Sequence, residues 1–234
     1  MSADTAVVVL AAGHGNRLGR GNKALLPLGD KPLLFHALNA ARASSCLRQL
    51  VLVMNPEDVA ALESTWQLGP VDLGVDLVVP GGASRWLSSW EGCKASDPEC
   101  ELLLVHDCAR ALVESSTFDK VALAARDCNC ALAAAPLADT LKRSGPEQRV
   151  VETVAREAMW RAQTPQGAHR ELLLSAFSSW PNDGTSPTDE AMLLEAAGHH
   201  PVLVETPSSN FKVTTPADLE MAAAILRSRQ VTHE

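Results

Sequence analysis

The sequence predicts an α/β fold, a three-layer Rossmann-like arrangement around a mostly parallel sheet. Short apolar runs bounded by turn residues alternate with helical patterns between residues 6 and 135, which is the signature of strands joined by crossover helices. The chain has 234 residues and is 46% hydrophobic, enough to bury one large core. Ligands of such sheets bind beyond the carboxyl ends of the strands, so the segments that follow the strands are the candidate sites.

The elements of the first part follow from this alternation. The predicted strands are 6–12, 49–53, 75–79, 102–105 and 131–135. The predicted helices between them are 33–43, 58–66, 85–95 and 117–126.

The pattern changes after residue 135. Residues 139–156 are polar and β-like around a turn near Gly145-Pro146, which predicts an extended hairpin. Further helices are predicted at 171–178, 188–197 and 217–227, and further strands at 202–205 and 211–213. We interpret residues 1–234 as one domain from which residues 138–158 protrude as an arm. A two-stranded arm is marginal in isolation, so we expect it to pack on a second subunit.

A glycine-rich loop follows the first strand and is the most informative local feature. Gly13 and Gly15 allow backbone N–H groups to approach an anion, and Arg17, Arg20 and Lys23 add positive charge beside them. The loop lacks the Gly-Lys-Ser/Thr of a P-loop, and Leu18 replaces the third glycine of the dinucleotide fingerprint. A plain strand–helix turn is the alternative, but three cations favour a nucleotide phosphate site.

Composition excludes several classes of protein. The net charge of −8 disfavours a general nucleic-acid binder and favours a local pocket for a small polyanion. No apolar run approaches the roughly 20 residues of a membrane span, and the N-terminus lacks the basic region of a signal peptide. The six cysteines form neither C-x-x-C nor zinc-ligand spacings, so we expect reduced thiols in a cytoplasmic protein.

Two further strand ends carry residues that are suited to bind a ligand. Asp107 ends the buried run at 102–105, where a carboxylate either binds Mg²⁺ with substrate phosphates or caps the next turn. His106 beside it is expected to be a structural imidazole. The turn at Gly81-Gly82 precedes a helix whose free N–H groups, with Ser88, are suited to a base or ribose, although a plain turn is nearly as good an explanation.

Later segments are less specific on their own. Thr140 and Arg156 stand at the two ends of the arm and are suited to a phosphate of a second substrate, or else belong to a solvated surface. Lys212 lies in the predicted strand before the last helix. Thr188-Asp189-Glu190 has the acids of a helix start, and we expect no function for it.

Taken together, these segments resemble the 2-C-methyl-D-erythritol 4-phosphate cytidylyltransferases of the non-mevalonate isoprenoid pathway. The resemblance runs in family order from about residue 6 to 228, and the segments around Gln163 and Lys212 are the most specific. The matching motifs are Ala11-Ala12-Gly13-His14-Gly15-Asn16-Arg17, Lys23, Gly81-Gly82-x-x-Arg85 with Ser88, Val105-His106-Asp107 with Ala109-Arg110, Pro136-x-x-Asp139-Thr140-x-Lys142, Ala162-Gln163-Thr164-Pro165-Gln166, Thr188-Asp189-Glu190-Ala191 and Asn210-x-Lys212-Val213-Thr214-x-Pro216-x-Asp218-Leu219.

The resemblance implies a fold of the nucleotidyltransferase type and a CTP-using enzyme that releases pyrophosphate. It assigns Arg17 and Lys23 to the triphosphate in the transition state, and Asp107 to Mg²⁺. It implies a homodimer in which the arm contributes to the partner's site. The nucleotide-binding set is Ala11, Ala12, Gly13, Gly15, Gly82, Arg85, Ser88 and Asp107, and the set for the polyol phosphate acceptor is Arg110, Thr140, Arg156 and Lys212.

The chain also departs from the family pattern. Family members commonly have Pro-Lys-Gln where this chain has Asn22-Lys23-Ala24, and an acid where it has Leu87. Cys108 and Ala111 likewise replace a common alanine and proline. These changes keep two alternatives open beside the main interpretation: a cytidylyltransferase for ribitol 5-phosphate or a related sugar phosphate, and a nucleotide-binding homologue without turnover. A dinucleotide-dependent oxidoreductase is a distant third.

Overall fold

The computed structural model describes residues 3–13, 22–181 and 183–231. Strands and helices alternate along most of the chain, as the sequence predicts. The strands are β1 (Thr5–Leu10), β2 (Pro27–Leu28), β3 (Lys31–Pro32), β4 (Leu47–Val53), β5 (Leu77–Val79), β6 (Leu102–Asp107), β7 (Cys130–Pro136), β8 (Leu141–Ser144), β9 (Val150–Val154), β10 (Trp160–His169) and β11 (Val202–Glu205). The helices are α1 (Leu33–Arg42), α2 (Pro56–Trp66), α3 (Arg85–Ala95), α4 (Ser115–Cys128), α5 (Arg170–Ser179), α6 (Glu190–Ala196) and α7 (Pro216–Val231).

The central sheet has seven strands in the order β11-β7-β10-β6-β1-β4-β5. Strand β1 pairs in parallel with β4 on one side and with β6 on the other. The chain therefore builds outward from β1 through β4 to β5 and then returns to β6. This reversal makes the carboxyl ends of β1 and β6 the topological switch point, where open α/β sheets bind their ligands.

Helices cover both faces of the sheet, and β1 shows why. Val7 and Val9 pack in a cluster with residues of α1, α2 and α4, such as Phe118. Ala6 and Val8 pack in a second cluster with residues of α3, α5 and α6. Because alternate side chains of a strand point to opposite faces, an all-apolar strand such as β1 must be buried on both faces. The predicted three-layer mostly parallel architecture is confirmed.

Strand β10 is the main element that the sequence pattern does not reveal. It lies antiparallel between β6 and β7, with Gln163, Thr164 and Gln166 almost fully buried. Their side chains are satisfied by partners distant in sequence, such as Thr206 and Asp189. Polar residues and Pro165 break the apolar alternation by which strands are normally predicted.

The strand predicted at 211–213 is wrong, since these residues are irregular backbone before α7. The Val213 N–H donates to the Ala109 carbonyl oxygen (2.8 Å), so this segment is tied to the loop after β6 without joining the sheet. Val213 packs instead with Leu112 and Ala222 in a third small cluster.

The hairpin between residues 141 and 154 forms where it is predicted, with β8 and β9 antiparallel and the turn at 145–149. Its side chains are mostly exposed, and Val150 and Val151 are each 61% exposed. Among the residues that the structure describes, no helix combines the length and the hydropathy that a bilayer crossing requires.

Candidate active site

A cleft of about 420 Å³ opens at the carboxyl ends of β1, β4 and β6. It lies at the switch point of the sheet, where the topology predicts a ligand site. Its described lining is Leu10, Ala11, Ala12, Gly13, Asn22, Lys23, Asn55, Gly82, Ala83, Ser84, Arg85, Ser88, Asp107, Cys108, Ala109 and Lys212.

One wall of the cleft is the backbone that follows β1. Ala11, Ala12 and Gly13 lie along it, and Lys23 re-enters it at the start of a short 3₁₀ turn over Lys23–Leu25. These four predicted site residues are thus brought together. Arg17 and Gly15 of the same prediction, with Arg20, fall outside the described residues.

The opposite wall is the start of α3. Gly92 lets this helix approach the sheet closely, because a Cβ there would lie 2.5 Å from the Val8 Cγ1 atom and 2.6 Å from the Val53 Cγ2 atom. The Ser84 hydroxyl caps the helix by accepting from the Leu87 N–H. The helix start therefore holds Arg85 and Ser88 at the strand ends.

The backbone N–H groups of the Gly81-Gly82 turn differ from expectation, since they already have protein partners. The Gly82 N–H donates to the Ser88 hydroxyl (3.0 Å), and the Gly81 N–H donates to the Asn55 side-chain oxygen (3.1 Å). The prediction that these N–H groups are free is therefore wrong for Gly81 and Gly82, because side chains from α3 and from the end of β4 accept their hydrogen bonds. Asn55 itself lines the cleft, and sequence analysis did not single it out.

An ionic cluster forms the floor of the cleft around Asp107. The Arg85 Nε donates to one Asp107 carboxylate oxygen (3.0 Å), and the Lys212 Nζ donates to the other (2.6 Å). Burial alone would raise the pKa of Asp107, but Arg85 and Lys212 more than offset it and hold the pKa well below its usual range. Asp107 is therefore a carboxylate at any physiological pH.

Glu190 completes this cluster, although sequence analysis expected no function for it. It is fully buried and accepts two parallel hydrogen bonds from the Arg85 guanidinium, each 3.0 Å. Burial tends to lower the pKa of Arg85, but the carboxylates of Glu190 and Asp107 reverse this effect and raise it. The sequence placed Glu190 in a helix start and in a motif that resembles the family, but it did not reveal the pair with Arg85, because the burial of that helix face is a tertiary feature.

The Glu190 helix is tied to the sheet by β10. Gln166 accepts from the Ala191 N–H (2.8 Å) and donates to the Asp189 carboxylate (3.0 Å). Asp189 in turn caps α6 by accepting from the Met192 N–H. The predicted helix start is confirmed, but its cap also fixes the carboxylate that holds Arg85.

His106 is a structural imidazole, as expected. It is fully buried, and its Nδ1 hydrogen-bonds the Thr164 hydroxyl (3.0 Å), which also accepts from the Asp107 N–H (3.0 Å). Its ring packs against Phe118 with centroids 5.1 Å apart. Burial lowers the pKa of His106 to about 4, so the ring is neutral near pH 7 and supports the backbone of Asp107.

Three predicted acceptor-side residues are not among the described residues that line this cleft. The Arg110 guanidinium donates to the carbonyl oxygens of Asn210 (2.9 Å) and Ala162 (3.3 Å), and so holds the loop that carries Lys212. Thr140 and Arg156 lie at the base of the arm, where Arg156 donates to the Ala138 carbonyl oxygen. Lys212 alone of the acceptor set reaches the cleft of its own chain.

Comparison with known proteins adds independent information. The model of the IspD family, 2-C-methyl-D-erythritol 4-phosphate cytidylyltransferase, matches residues 5–228. A protein of that name from Aromatoleum aromaticum is 40% identical over 231 residues, covering 95% of each chain, and one from Alkaliphilus oremlandii is 34% identical, covering 97% of this chain and 96% of its own. The crystal structure of the enzyme of the same name from Thermus thermophilus superposes with a TM-score of 0.77 at 31% identity, covering 94% of this chain and 98% of that one.

The neutral, buried His106 predicts a pH-dependent stability. Its folded pKa of about 4 lies below the unfolded value of 6.5, so between these pH values the unfolded chain takes up a proton that the folded chain does not. Stability should therefore fall by about 3 kcal/mol as the pH drops from 6.5 to 4. Urea unfolding at several pH values measures this loss. The His106→Asn variant, which keeps a hydrogen-bonding side chain beside Thr164 but does not titrate, should lack this component, and an unchanged pH profile would refute the assignment.

The Glu190–Arg85 pair predicts a large stability effect. Glu190→Gln removes a fully buried charge from a bidentate pair and should lower the free energy of unfolding by about 2 to 3 kcal/mol. This loss is smaller than the roughly 3 to 5 kcal/mol typical of breaking a fully buried ion pair, because the Arg85 side chain is 29% exposed. The matched control is Glu91→Gln on α3, whose pair with Lys94 is exposed at both ends and should cost less than about 0.5 kcal/mol. Equal losses in the two variants, measured by denaturant unfolding, would contradict the role of the cluster.

Proposed function

This chain belongs to the 2-C-methyl-D-erythritol 4-phosphate cytidylyltransferase family, and from that premise we propose how its cleft performs the transfer. The enzyme is a nucleotidyltransferase that moves CMP from CTP to 2-C-methyl-D-erythritol 4-phosphate and releases pyrophosphate. The observation that carries the proposal is the cleft at the switch point, which Lys23, Arg85, Lys212 and Asp107 all line in a protein of net charge −8. Asp107 and Glu190 balance the charges of Arg85 and Lys212, so Lys23 adds the positive charge that suits a triphosphate.

The reaction needs no general base in the protein. The acceptor is a phosphate monoester with a second pKa of about 6, so it is mostly dianionic at pH 7 and nucleophilic as it stands. Its oxygen attacks the α-phosphorus of CTP in line, the bond to the β-phosphate oxygen breaks, and pyrophosphate leaves with the electron pair. The buried imidazole of His106 is consistent with this, since its ring is held by Thr164 and Phe118. Catalysis then comes from positioning and electrostatic stabilisation.

Lys23 and Arg17 are proposed to act on the triphosphate. Lys23 lines the cleft beside the backbone of Ala12 and Gly13, where an anion would meet both backbone N–H groups and an ammonium group. The Ala11 N–H is not one of these donors, because it already donates to the Val53 carbonyl oxygen (2.8 Å). Negative charge builds up on the α-phosphate and on the leaving group as the bond to the β-phosphate oxygen breaks. An ammonium group fixed beside these atoms stabilises that charge in the transition state.

Lys212 and Arg110 are proposed to serve the acceptor. Lys212 is held at the cleft by Asp107 while its side chain remains 35% exposed, so it can meet an incoming phosphate without losing its carboxylate partner. Arg110 acts on this side by holding the Asn210 backbone two residues before Lys212. A cation already paired with a carboxylate is oriented before the substrate arrives, which lowers the cost of binding.

Magnesium is proposed as the metal cofactor, with Asp107 as its protein ligand. The described residues bring no three His, Cys, Asp or Glu side chains together, so they offer no closed metal cage. Mg²⁺ usually takes one or two carboxylates and completes its shell with phosphate oxygens and water, which a single ionised Asp107 fits. Each Asp107 oxygen already accepts from Arg85 or Lys212, so the ion would use the second lone pair of one of these oxygens. When bound, the ion would neutralise charge on the triphosphate.

A homodimer is proposed in which each arm reaches the site of the partner. Val150 and Val151 on the arm are each 61% exposed, and Met159 and Trp160 at its base are 42% and 36% exposed. A hairpin with so much exposed apolar surface requires a packing partner. We also propose a reducing compartment, the cytoplasm, because all six cysteines are free thiols and five of them are buried.

The acceptor is tested by pyrophosphate release from CTP and Mg²⁺ with each candidate polyol phosphate. We expect turnover with 2-C-methyl-D-erythritol 4-phosphate and at least about 100-fold lower kcat/KM with ribitol 5-phosphate, because a site built for one set of hydroxyls leaves groups unpaired with another. The opposite order would assign the chain to pentitol phosphates. CTP binding without turnover on either acceptor would support a non-catalytic homologue.

Lys23→Ala should lower turnover by at least about 100-fold, comparable with the loss of one oxyanion donor. The variant should remain folded, since Lys23 is at the surface of the cleft and outside the core. Steady-state pyrophosphate release and the thermal midpoint measure the two effects. Lys94→Ala, an exposed lysine on α3, is the control and should leave turnover unchanged. Normal turnover in the Lys23→Ala variant would remove this residue from the mechanism.

The arm is tested by mixing two inactive variants. Arg156→Ala should mainly raise the KM of the acceptor phosphate, and Lys23→Ala should mainly lower kcat. If arms act in the partner's site, each mixed dimer regains one intact site of two, so random exchange should restore about a quarter of wild-type activity at low acceptor concentration. A mixture as inactive as its components, under conditions where subunit exchange is verified, would place Arg156 in its own chain's site or outside both.

A further inference from the structure

Lys23 is held by a polar connection that the proposed mechanism does not use. We propose that Asp58, acting through Asn22, is a positioning residue for Lys23. The proposal rests on the function proposed above for Lys23, and adds to it a pair of buried side chains that set where its ammonium group stands.

The Asn22 side chain caps the short turn that carries Lys23. Its side-chain oxygen accepts from the Ala24 N–H (3.0 Å) and caps the 3₁₀ turn over Lys23–Leu25. Lys23 is the residue between the cap and the bonded N–H, so its backbone is fixed on both sides. The direction in which its side chain leaves the backbone follows from this cap.

Both N–H donors of the Asn22 side-chain amide are used inside the protein. One donates to the Ala11 carbonyl oxygen (2.6 Å) and the other to an Asp58 carboxylate oxygen (2.8 Å). Asn22 is 6% exposed, so water does not compete effectively for these bonds. The amide thus joins the end of β1, the first turn of α2 and the start of the 3₁₀ turn.

Asp58 is a buried acceptor for the Asn22 amide. It is 9% exposed and lies in the first turn of α2, where the helix dipole favours a negative charge. A charged acceptor makes a shorter and stronger hydrogen bond than a neutral one. Asp58 therefore strengthens the orientation of the Asn22 amide that the bonds to Ala11 and Ala24 also require.

The backbone of Asn22 explains why such a device is needed in this chain. A proline ring at a position of this kind would hold φ near −65°. Asn22 has φ of −73°, which lies in the same region without a ring to restrain it. The hydrogen bonds to Ala11, Ala24 and Asp58 restrain this residue in place of a covalent ring.

The test uses the full-length enzyme with CTP, Mg²⁺ and the polyol phosphate that supports turnover in the pyrophosphate-release assay. Asp58→Ala and Asn22→Ala should each lower kcat between about tenfold and about 100-fold with little change in the KM of CTP, because a misplacement of roughly 1 Å has this effect. The double variant should lose no more than the worse single variant, since both act through one connection. Asp58→Asn, which keeps an oxygen to accept from Asn22, should recover much of the loss.

Epistasis with Lys23 separates positioning from a general structural role. In the Lys23→Ala background, Asp58→Ala should lower turnover by less than about twofold, because its target is already absent. Glu57→Ala is the matched control: it removes an exposed acid from the same helix turn and should leave kcat unchanged. The thermal midpoint of each variant confirms that assays are run on folded protein.

Two results would overturn this inference. One is an unchanged kcat in Asp58→Ala, and the other is the same fold-loss for Asp58→Ala with and without Lys23. Either result in an active wild-type enzyme leaves the proposed function standing. An inactive wild-type enzyme would instead refute the proposed function, so the two failures are distinguishable.

Discussion

The ion pairs around Asp107 are the constraint on which the rest of the site depends. This one carboxylate, at the end of β6, binds Arg85 from α3 and Lys212 from the loop before α7. Glu190 from α6 binds the far side of the same guanidinium. Four segments that are far apart in sequence therefore meet at one point, and removing any member would leave a charge without its partner in a low-dielectric environment.

The charges of this cluster cancel, which explains how a buried ionic site is tolerated in the fold. Two cations and two carboxylates leave no net charge, and the bidentate Arg85–Glu190 contact satisfies the donors that burial would otherwise leave unpaired. The cleft then presents oriented polar groups, which need no reorganisation when an anionic substrate binds. A preorganised site of this kind is what a reaction without a general base requires.

Buried hydrogen-bonded side chains from several elements hold the members of this cluster in place. Buried His106 and Thr164 fix the backbone of Asp107, and Gln166 fixes the helix of Glu190. Asn22, the residue before Lys23, caps the turn that carries this lysine by accepting from the Ala24 N–H. These supporting residues are polar and buried, and each makes hydrogen bonds across different elements. The proposed catalytic groups thus lie at strand ends and helix starts, while no residue of the arm is among the described residues that line the cleft of its own chain.

The sequence by itself determined the alternation of strands and helices, the mostly parallel sheet, the hairpin arm, the cationic loop with Lys23 and the strand end with Asp107. These are local signals, because apolar periodicity, glycine turns and residues at strand ends are written in consecutive positions. Arg85 and Lys212 were assigned only through the family resemblance. Only the tertiary structure decided that β10 lies inside the sheet between β6 and β7, that residues 211–213 stay outside it, and that Glu190, Asn22 and Asp58 are buried with hydrogen-bond partners beside the cleft. Buried polar residues look like loop or surface residues in a sequence, and only the fold brings to them the partners that make their burial favourable.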